Sequence, residues 1–241
     1  EATPQANAIV VIGHGIFTYA DTAREALARH LDIVEMATAF ARKRAEDFKS
    51  FTQTRPDLGP DFTSAMSMKV SEIRQKVSEF AGRPLTATIA AREEQFDQEL
   101  ITVVQRGPAT PDHVTWVGPW VICDTSLEDY AHRYRDYVYR NATRTSRSDL
   151  LSPTTPLPAL YPRVIAVPGV GLVAIGRTVS EAQKTGEITR HTLEIADLAE
   201  QLDTYTPPTE DHIFDLEFWK PQMEKYSRKT SGSPVGHFRV I

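Results

Sequence analysis

A histidine flanked by two glycines is the residue in this sequence whose setting most suggests chemistry. His14 lies between Gly13 and Gly15, in a break within an apolar, β-branched stretch. Rigid backbone would hold its imidazole there, and the small neighbours leave room for a ligand, which suits a divalent metal or general acid–base catalysis. The alternative is a histidine that only hydrogen-bonds a loop carbonyl. No H-x-H or H-E-x-x-H motif accompanies His14, so spacing alone does not define a metal site.

A second candidate pairs a carboxylate with an imidazole. Asp112 and His113 lie in the segment GPATPDHV, residues 107–114, whose glycine and prolines predict a loop. At the entrance to the strand predicted to follow, the two side chains could form a catalytic site or a contact between subunits. In the alternative interpretation Asp112 only terminates a turn.

The later segment GVGLVAIG is also rich in glycine. Gly169, Gly171 and Gly176 follow G-x-G-x4-G spacing rather than the G-x-G-x-x-G of dinucleotide-binding folds. The spacing favours a structural turn, with a nucleotide site as the weaker alternative.

Cys123 is the only cysteine, which excludes a disulfide scaffold, and its apolar neighbours favour a buried, unreactive thiol.

The composition describes an ordinary globular protein. The chain has 241 residues, 41% of them hydrophobic and 24% charged, and a formal net charge of -5. A net negative charge provides no basic surface for phosphate backbones, so we expect no nucleic-acid partner. No apolar run approaches the roughly 20 residues of a membrane helix, and the N-terminus lacks signal-peptide character. We therefore expect a cytoplasmic protein without a membrane partner.

Hydrophobic periodicity predicts an α/β fold, with a layered sheet and flanking helices. The pattern predicts buried strands within 8–19 and 161–176, a strand at 85–90 and an interrupted strand at 114–122. It predicts one helix that begins near residue 22 and further helices at 62–80, 93–105, 126–140 and 179–202. Two short helices should follow the prolines at 207 and 208.

Two parts of the chain match at an offset of 156 residues. The offset superposes both glycine turns and two capping-box pairs, Thr22 with Glu25 and Thr178 with Glu181. This agreement indicates a degenerate internal duplication. The alternative is that the order of strand, glycine turn, strand and capped helix recurs in any α/β protein. His14 corresponds to Val170, so only the first copy could keep the chemistry of an imidazole.

Four segments together resemble a known family. They are VIGHGIFTYADTAREALARHLDIVEMA, GPATPDHV, YPRVIAVPGVGLVAIG and FDLEFWKPQMEK. They are similar to class II aldolase/adducin proteins, in particular the bifunctional type that joins a rhamnulose-1-phosphate aldolase to a short-chain dehydrogenase. The resemblance covers about Ile9 to Lys225.

The resemblance implies a role for His14 as a ligand of the catalytic divalent metal, usually zinc in this family. The family's other ligands, a histidine-x-histidine pair, belong to a preceding half-domain, as do its acidic catalytic residue and phosphate-binding loop. NAD would bind in a dehydrogenase domain that follows. We therefore expect a central fragment of a larger enzyme that acts on a sugar phosphate, forms a homo-oligomer and is inactive as an isolated chain. The alternative is a non-catalytic, adducin-like structural or oligomerisation module.

The resemblance and the sequence pattern together predict five divisions of the chain. They are the C-terminal part of an aldolase/adducin domain (1–55), a helical and mixed α/β insertion (56–140), an exposed connection (141–162), a second strand-turn-strand-helix unit with terminal helices (163–227), and a linker toward a dehydrogenase domain (228–241).

Overall fold

The computed structural model describes residues 6–45, 64–95, 98–123, 126–152, 155 and 157–224. The predicted mixed α/β class is confirmed. The strands are β1 (Ala8–Val11), β2 (Gly15–Thr18), β3 (Thr86–Arg92), β4 (Val164–Val167) and β5 (Gly171–Gly176). The helices are α1 (Ala23–Arg44), α2 (Ser64–Phe80), α3 (Gln98–Val104), α4 (Val114–Val117), α5 (Leu127–Arg144), α6 (Val179–Leu202) and α7 (Glu210–Glu217).

A three-stranded antiparallel sheet forms the centre of the fold, in the order β3-β5-β4. Successive side chains of β5 point to opposite faces, as the pleat of a strand requires. Val173 and Ile175 pack into a core shared with α5 and α7, whereas Leu172 and Ala174 pack with Leu193 of α6. Apolar side chains therefore cover the middle strand on both faces, and every residue of β5 is buried.

The first two strands form a separate two-stranded antiparallel sheet, joined by the glycine turn. The prediction that these strands are buried is wrong. Val10 is 66% exposed and Ile12 is 94% exposed. The apolar sequence indicated a core position, but nothing in the described part of the chain covers this hairpin fully.

The two matching segments have the same local structure. At the offset of 156 residues, β4 and β5 begin where β1 and β2 begin. Gly13 and Gly169 have φ angles of 75° and 73°, and the Thr22 and Thr178 side chains each accept a hydrogen bond from a glutamate amide. The local similarity is observed, and the duplication itself stays a hypothesis.

The predicted strand at 114–122 is wrong. Val114–Val117 is a short helix, preceded by a 3-10 turn that begins at Pro111. Proline favours the first turn of a helix, and Gly118 ends this one with a φ of 74°. Only Ile122 has strand character, through an isolated parallel bridge to Ile165.

The segment 141–162 is less exposed than its composition indicated. Leu150, Ala159 and Tyr161 are buried within the main core. Serine, threonine, arginine and proline make up most of the segment, but these three apolar side chains point inward. The segments 46–63 and 228–241 lie outside the described residues.

Close backbone packing at β5 predicts a large effect of adding one methyl group. Gly171 has a φ of 119°, and a Cβ there would collide with the carbonyl oxygen of Ala91. We expect Gly171→Ala to lower the free energy of unfolding by about 1–3 kcal/mol, measured by chemical denaturation. Gly15→Ala is the matched control, since Gly15 also has a positive φ, 150°, but no heavy atom lies within 4 Å of its Cβ position. Equal losses in the two variants would contradict the steric explanation.

Candidate functional site

The turn between β1 and β2 presents His14 on the surface. Its amide donates a 2.9 Å hydrogen bond to the Val11 carbonyl, which closes the turn. The imidazole is exposed, and its ring centroid lies 6.3 Å from that of His212 in α7. Sequence analysis gave no indication of this neighbour, because 198 positions separate the two histidines in the chain.

The described residues do not by themselves fit a zinc centre. Such a centre requires three or four ligands, with histidine nitrogens about 2.0–2.1 Å from the metal. Within the described ranges, no group of three or more histidine, cysteine or acidic residues could hold a metal ion. His14 and His212 supply at most an incomplete pair, so the ligand role of His14 stays a prediction.

A cobalt(II) titration of the chain alone tests this point. We expect weak binding without the intense absorption of four-coordinate cobalt, because two imidazoles leave most of the coordination sphere to water. Replacement of either imidazole, by His14→Ala or His212→Ala, should abolish even the weak signal. His132→Ala, at an exposed position on α5, is the matched control. Tight stoichiometric binding that survives His14→Ala would contradict the ligand assignment.

The structure separates the roles of Asp112 and His113. Asp112 is exposed, whereas His113 is buried and its Nδ1 lies 3.1 Å from Oγ1 of Thr192. The Thr192 hydroxyl donates its hydrogen to the carbonyl of Ile188, so Nδ1 of His113 must be the donor toward Thr192. Burial, with the nearby charge of His191, lowers the pKa of His113 to about 4 despite Asp112. A neutral histidine that joins two elements contributes to packing, and the role of Asp112 and His113 in a catalytic site or subunit contact stays a prediction.

A buried carboxylate lies between α5 and α7. Glu217 is only 3% exposed and accepts hydrogen bonds from the hydroxyls of Tyr134, at 2.6 Å, and Tyr137, at 2.9 Å. Burial raises the pKa of Glu217 to about 7, although both tyrosine hydrogen bonds and the charge of Arg163 act in the opposite direction. The sequence does not indicate these contacts, because Glu217 lies 80 positions after Tyr137 in the chain.

A second buried network anchors the start of α6. Arg163 is 1% exposed and donates to Glu181 at 2.8 Å and to the Pro158 carbonyl at 3.2 Å. Arg177 donates to Glu181 from its backbone amide and from Nε, both at 2.9 Å. Burial alone would raise the pKa of Glu181, but the two arginines outweigh it and lower this pKa to about 2. Glu181 therefore serves as the counter-ion of two arginines.

A groove of about 1030 Å³ opens beside this network. Its apolar wall comes from α2, the 150–161 segment and the residues after α7, and consists of Phe80, Leu150, Leu157, Leu160, Tyr161 and Met223. Its charged groups are Arg83, Arg147, Asp149, Arg177, Lys220 and Glu224. The sequence does not reveal this groove, because its residues come from distant segments and form no motif.

Comparison with known proteins gives one match. The model of the family described as aldolase class II, second domain, matches residues 64–226. No curated protein and no solved structure matches the chain.

Within the described residues, no helix combines the length and apolar character needed to cross a membrane.

Proposed function

We propose that the chain is the central part of a bifunctional protein. The chain belongs to the aldolase class II second-domain family, which supports this proposal. In this proposal the complete protein joins a metal-dependent aldolase, which cleaves a sugar phosphate such as rhamnulose 1-phosphate, to an NAD-dependent short-chain dehydrogenase. Residues 1–55 complete the aldolase domain, and the remainder forms a non-catalytic second domain. The specific substrate and the dehydrogenase rest on the resemblance of the four sequence segments.

The single observation that carries the proposal is the N-terminal apolar surface. Most exposed large hydrophobic side chains in the described part of the chain lie between residues 9 and 40, outside the family match. They belong to the hairpin and α1, and they are Ile9, Val10, Val11, Ile12, Phe17, Tyr19, Leu27, Leu31, Val34, Met36 and Phe40. Large exposed apolar patches mark interaction surfaces, since each Å² left in water forgoes about 25 cal/mol.

The matching second unit indicates what this surface lacks. β5 pairs with β4 on one side and β3 on the other. Its counterpart β2 pairs only with β1 among the described strands, which leaves one edge of β2 open. An open strand edge beside exposed apolar side chains is suited to pairing with another strand. In the proposal, that strand belongs to the half-domain that carries the other metal ligands.

Amide hydrogen exchange tests the proposed assembly. We expect the β2 amides that face the open edge, and so do not donate to β1, to exchange rapidly in the isolated chain and slowly in the protein encoded by the complete reading frame. The amides of β5, paired on both sides, serve as the internal control and should be protected in both samples. Equal, rapid exchange of β2 in both samples would contradict the proposal.

The same surface favours a second candidate function. An adducin-like oligomerisation module would use the apolar residues of the hairpin and α1 to bind another copy of this chain. The isolated chain would then form a concentration-dependent oligomer, with β2 already protected, and a chelator would not dissociate it. Light scattering of the isolated chain, with Val10→Asp as the disrupting variant, distinguishes this candidate from the first.

A further inference from the structure

We propose that the groove beside α2 binds an amphipathic anion, with an aliphatic body and a terminal phosphate or carboxylate. This site is independent of the proposed aldolase reaction. It lies within the segment that matches the family, whereas His14 lies outside it. The argument rests on the size of the groove, on the chemistry of its wall and on its unbalanced positive charge.

Size and wall chemistry indicate the body of the ligand. A volume of about 1030 Å³ is at the upper end of the range typical of small-molecule sites, roughly 300–1000 Å³. Leu150 is buried, and Leu157, Leu160 and Met223 are partly buried at its wall. These side chains offer dispersion contacts but few partners for the hydroxyls of a sugar. A flexible aliphatic chain therefore fits this wall better than a sugar phosphate does.

Charge indicates the head of the ligand. Arg147 already pairs with Asp149 through two hydrogen bonds of 2.8 Å. The side chains of Arg83 and Lys220 are exposed and form no ion pair or hydrogen bond within the described part of the chain, while Glu224 is the remaining acidic side chain of the groove.

Arg177 adds to this positive charge. It lines the groove and shares its counter-ion, Glu181, with the buried Arg163. Arg83 and Lys220 together exceed Glu224 by one positive charge. The groove therefore presents an apolar wall beside the exposed cations Arg83 and Lys220, which is the complement of an amphipathic anion.

Calorimetric titration of the full chain with decyl phosphate, below its micelle concentration, tests the proposal. We expect one molecule bound per chain, and at least tenfold weaker binding of decanol, inorganic phosphate and ADP, because each lacks part of the required chemistry. The double variant Arg83→Gln, Lys220→Gln should weaken decyl phosphate binding at least tenfold. Leu157→Ser, at the apolar wall, should weaken it independently of charge.

Arg135→Gln is the matched control, since Arg135 is exposed on α5 and lies outside the groove. It should leave the affinity unchanged, and circular dichroism should show that all variants are folded. The proposal is overturned by no detectable binding, by ADP or inorganic phosphate binding as tightly as decyl phosphate, or by undiminished affinity in the double variant. Decanol binding as tightly as decyl phosphate would equally overturn it, since the cations would then have no role.

Discussion

Glu181→Gln is expected to lower the free energy of unfolding by about 3–5 kcal/mol, measured by chemical denaturation at pH 7. The change leaves Arg163, which is 1% exposed, without its carboxylate partner in the protein interior. It also replaces one of the two carboxylate oxygens, which accept hydrogen bonds from the side chain and the backbone amide of Arg177, by an amide NH2 group that cannot accept them. An unpaired buried charge costs much more than the loss of one exposed ion pair, so the expected effect is large.

The matching first unit supplies the control for this prediction. Glu25 occupies the corresponding position in the capping box at the start of α1, but its side chain is exposed. Glu25→Gln should change the stability by less than about 0.5 kcal/mol. If both glutamates gave the same small loss, the buried network would not be the cause of the stability of this region.

The same network has a defined pH dependence. The pKa of Glu181 is about 2 in the folded protein, below the ordinary 4.5. Its stabilising contribution is therefore complete above pH 4.5 and is lost as the pH falls toward 2. The stability difference between the wild type and Glu181→Gln should shrink over that range.

Glu217 should make the protein less stable as the pH rises from about 4.5 to 7. Burial raises the pKa of Glu217 to about 7 in the folded protein, so the folded state retains a proton that the unfolded chain releases near 4.5. The favourable contribution is complete below pH 4.5 and is lost as the pH passes the folded pKa. The shift corresponds to about 3 kcal/mol over this window, since each pKa unit is worth about 1.4 kcal/mol.

Denaturation curves at pH 4.5, 6 and 8 measure this effect. Glu217→Gln keeps the shape of the side chain without a charge, so its stability should decline by about 3 kcal/mol less than that of the wild type. Glu187→Gln, at an exposed position on α6, should follow the wild-type curve. A Glu217→Gln curve parallel to the wild type would show that Glu217 is not the titrating group.

Local sequence patterns predicted much of the fold. The predicted helix at 179–202 matches the bounds of α6, and the capping-box threonines Thr22 and Thr178 are the N-caps of their helices. These features depend on residues within one or two helical turns of each other, so sequence spacing is informative. The glycine turns were predictable for the same reason, because positive φ angles favour glycine.

Long-range packing limited the remaining predictions. The exposed hairpin has the β-branched composition of a buried strand, and composition does not indicate whether another element covers it. Glu217 lies 80 positions after Tyr137, and Arg163 lies 18 positions before Glu181, so neither network forms a sequence motif. His14 and His212 meet for the same reason, through the approach of α7 to the first turn.

The most direct test of the central claim is zinc-dependent cleavage of rhamnulose 1-phosphate by the protein encoded by the complete reading frame. We expect His14→Ala to lower this cleavage by about a hundredfold or more, since loss of a direct ligand should cost at least as much as loss of the groups that orient ligands. NAD-dependent oxidation by the same sample should be unchanged, and His132→Ala should retain both activities. Cleavage that His14→Ala leaves intact, or a complete protein without metal-dependent cleavage, would contradict the proposed function.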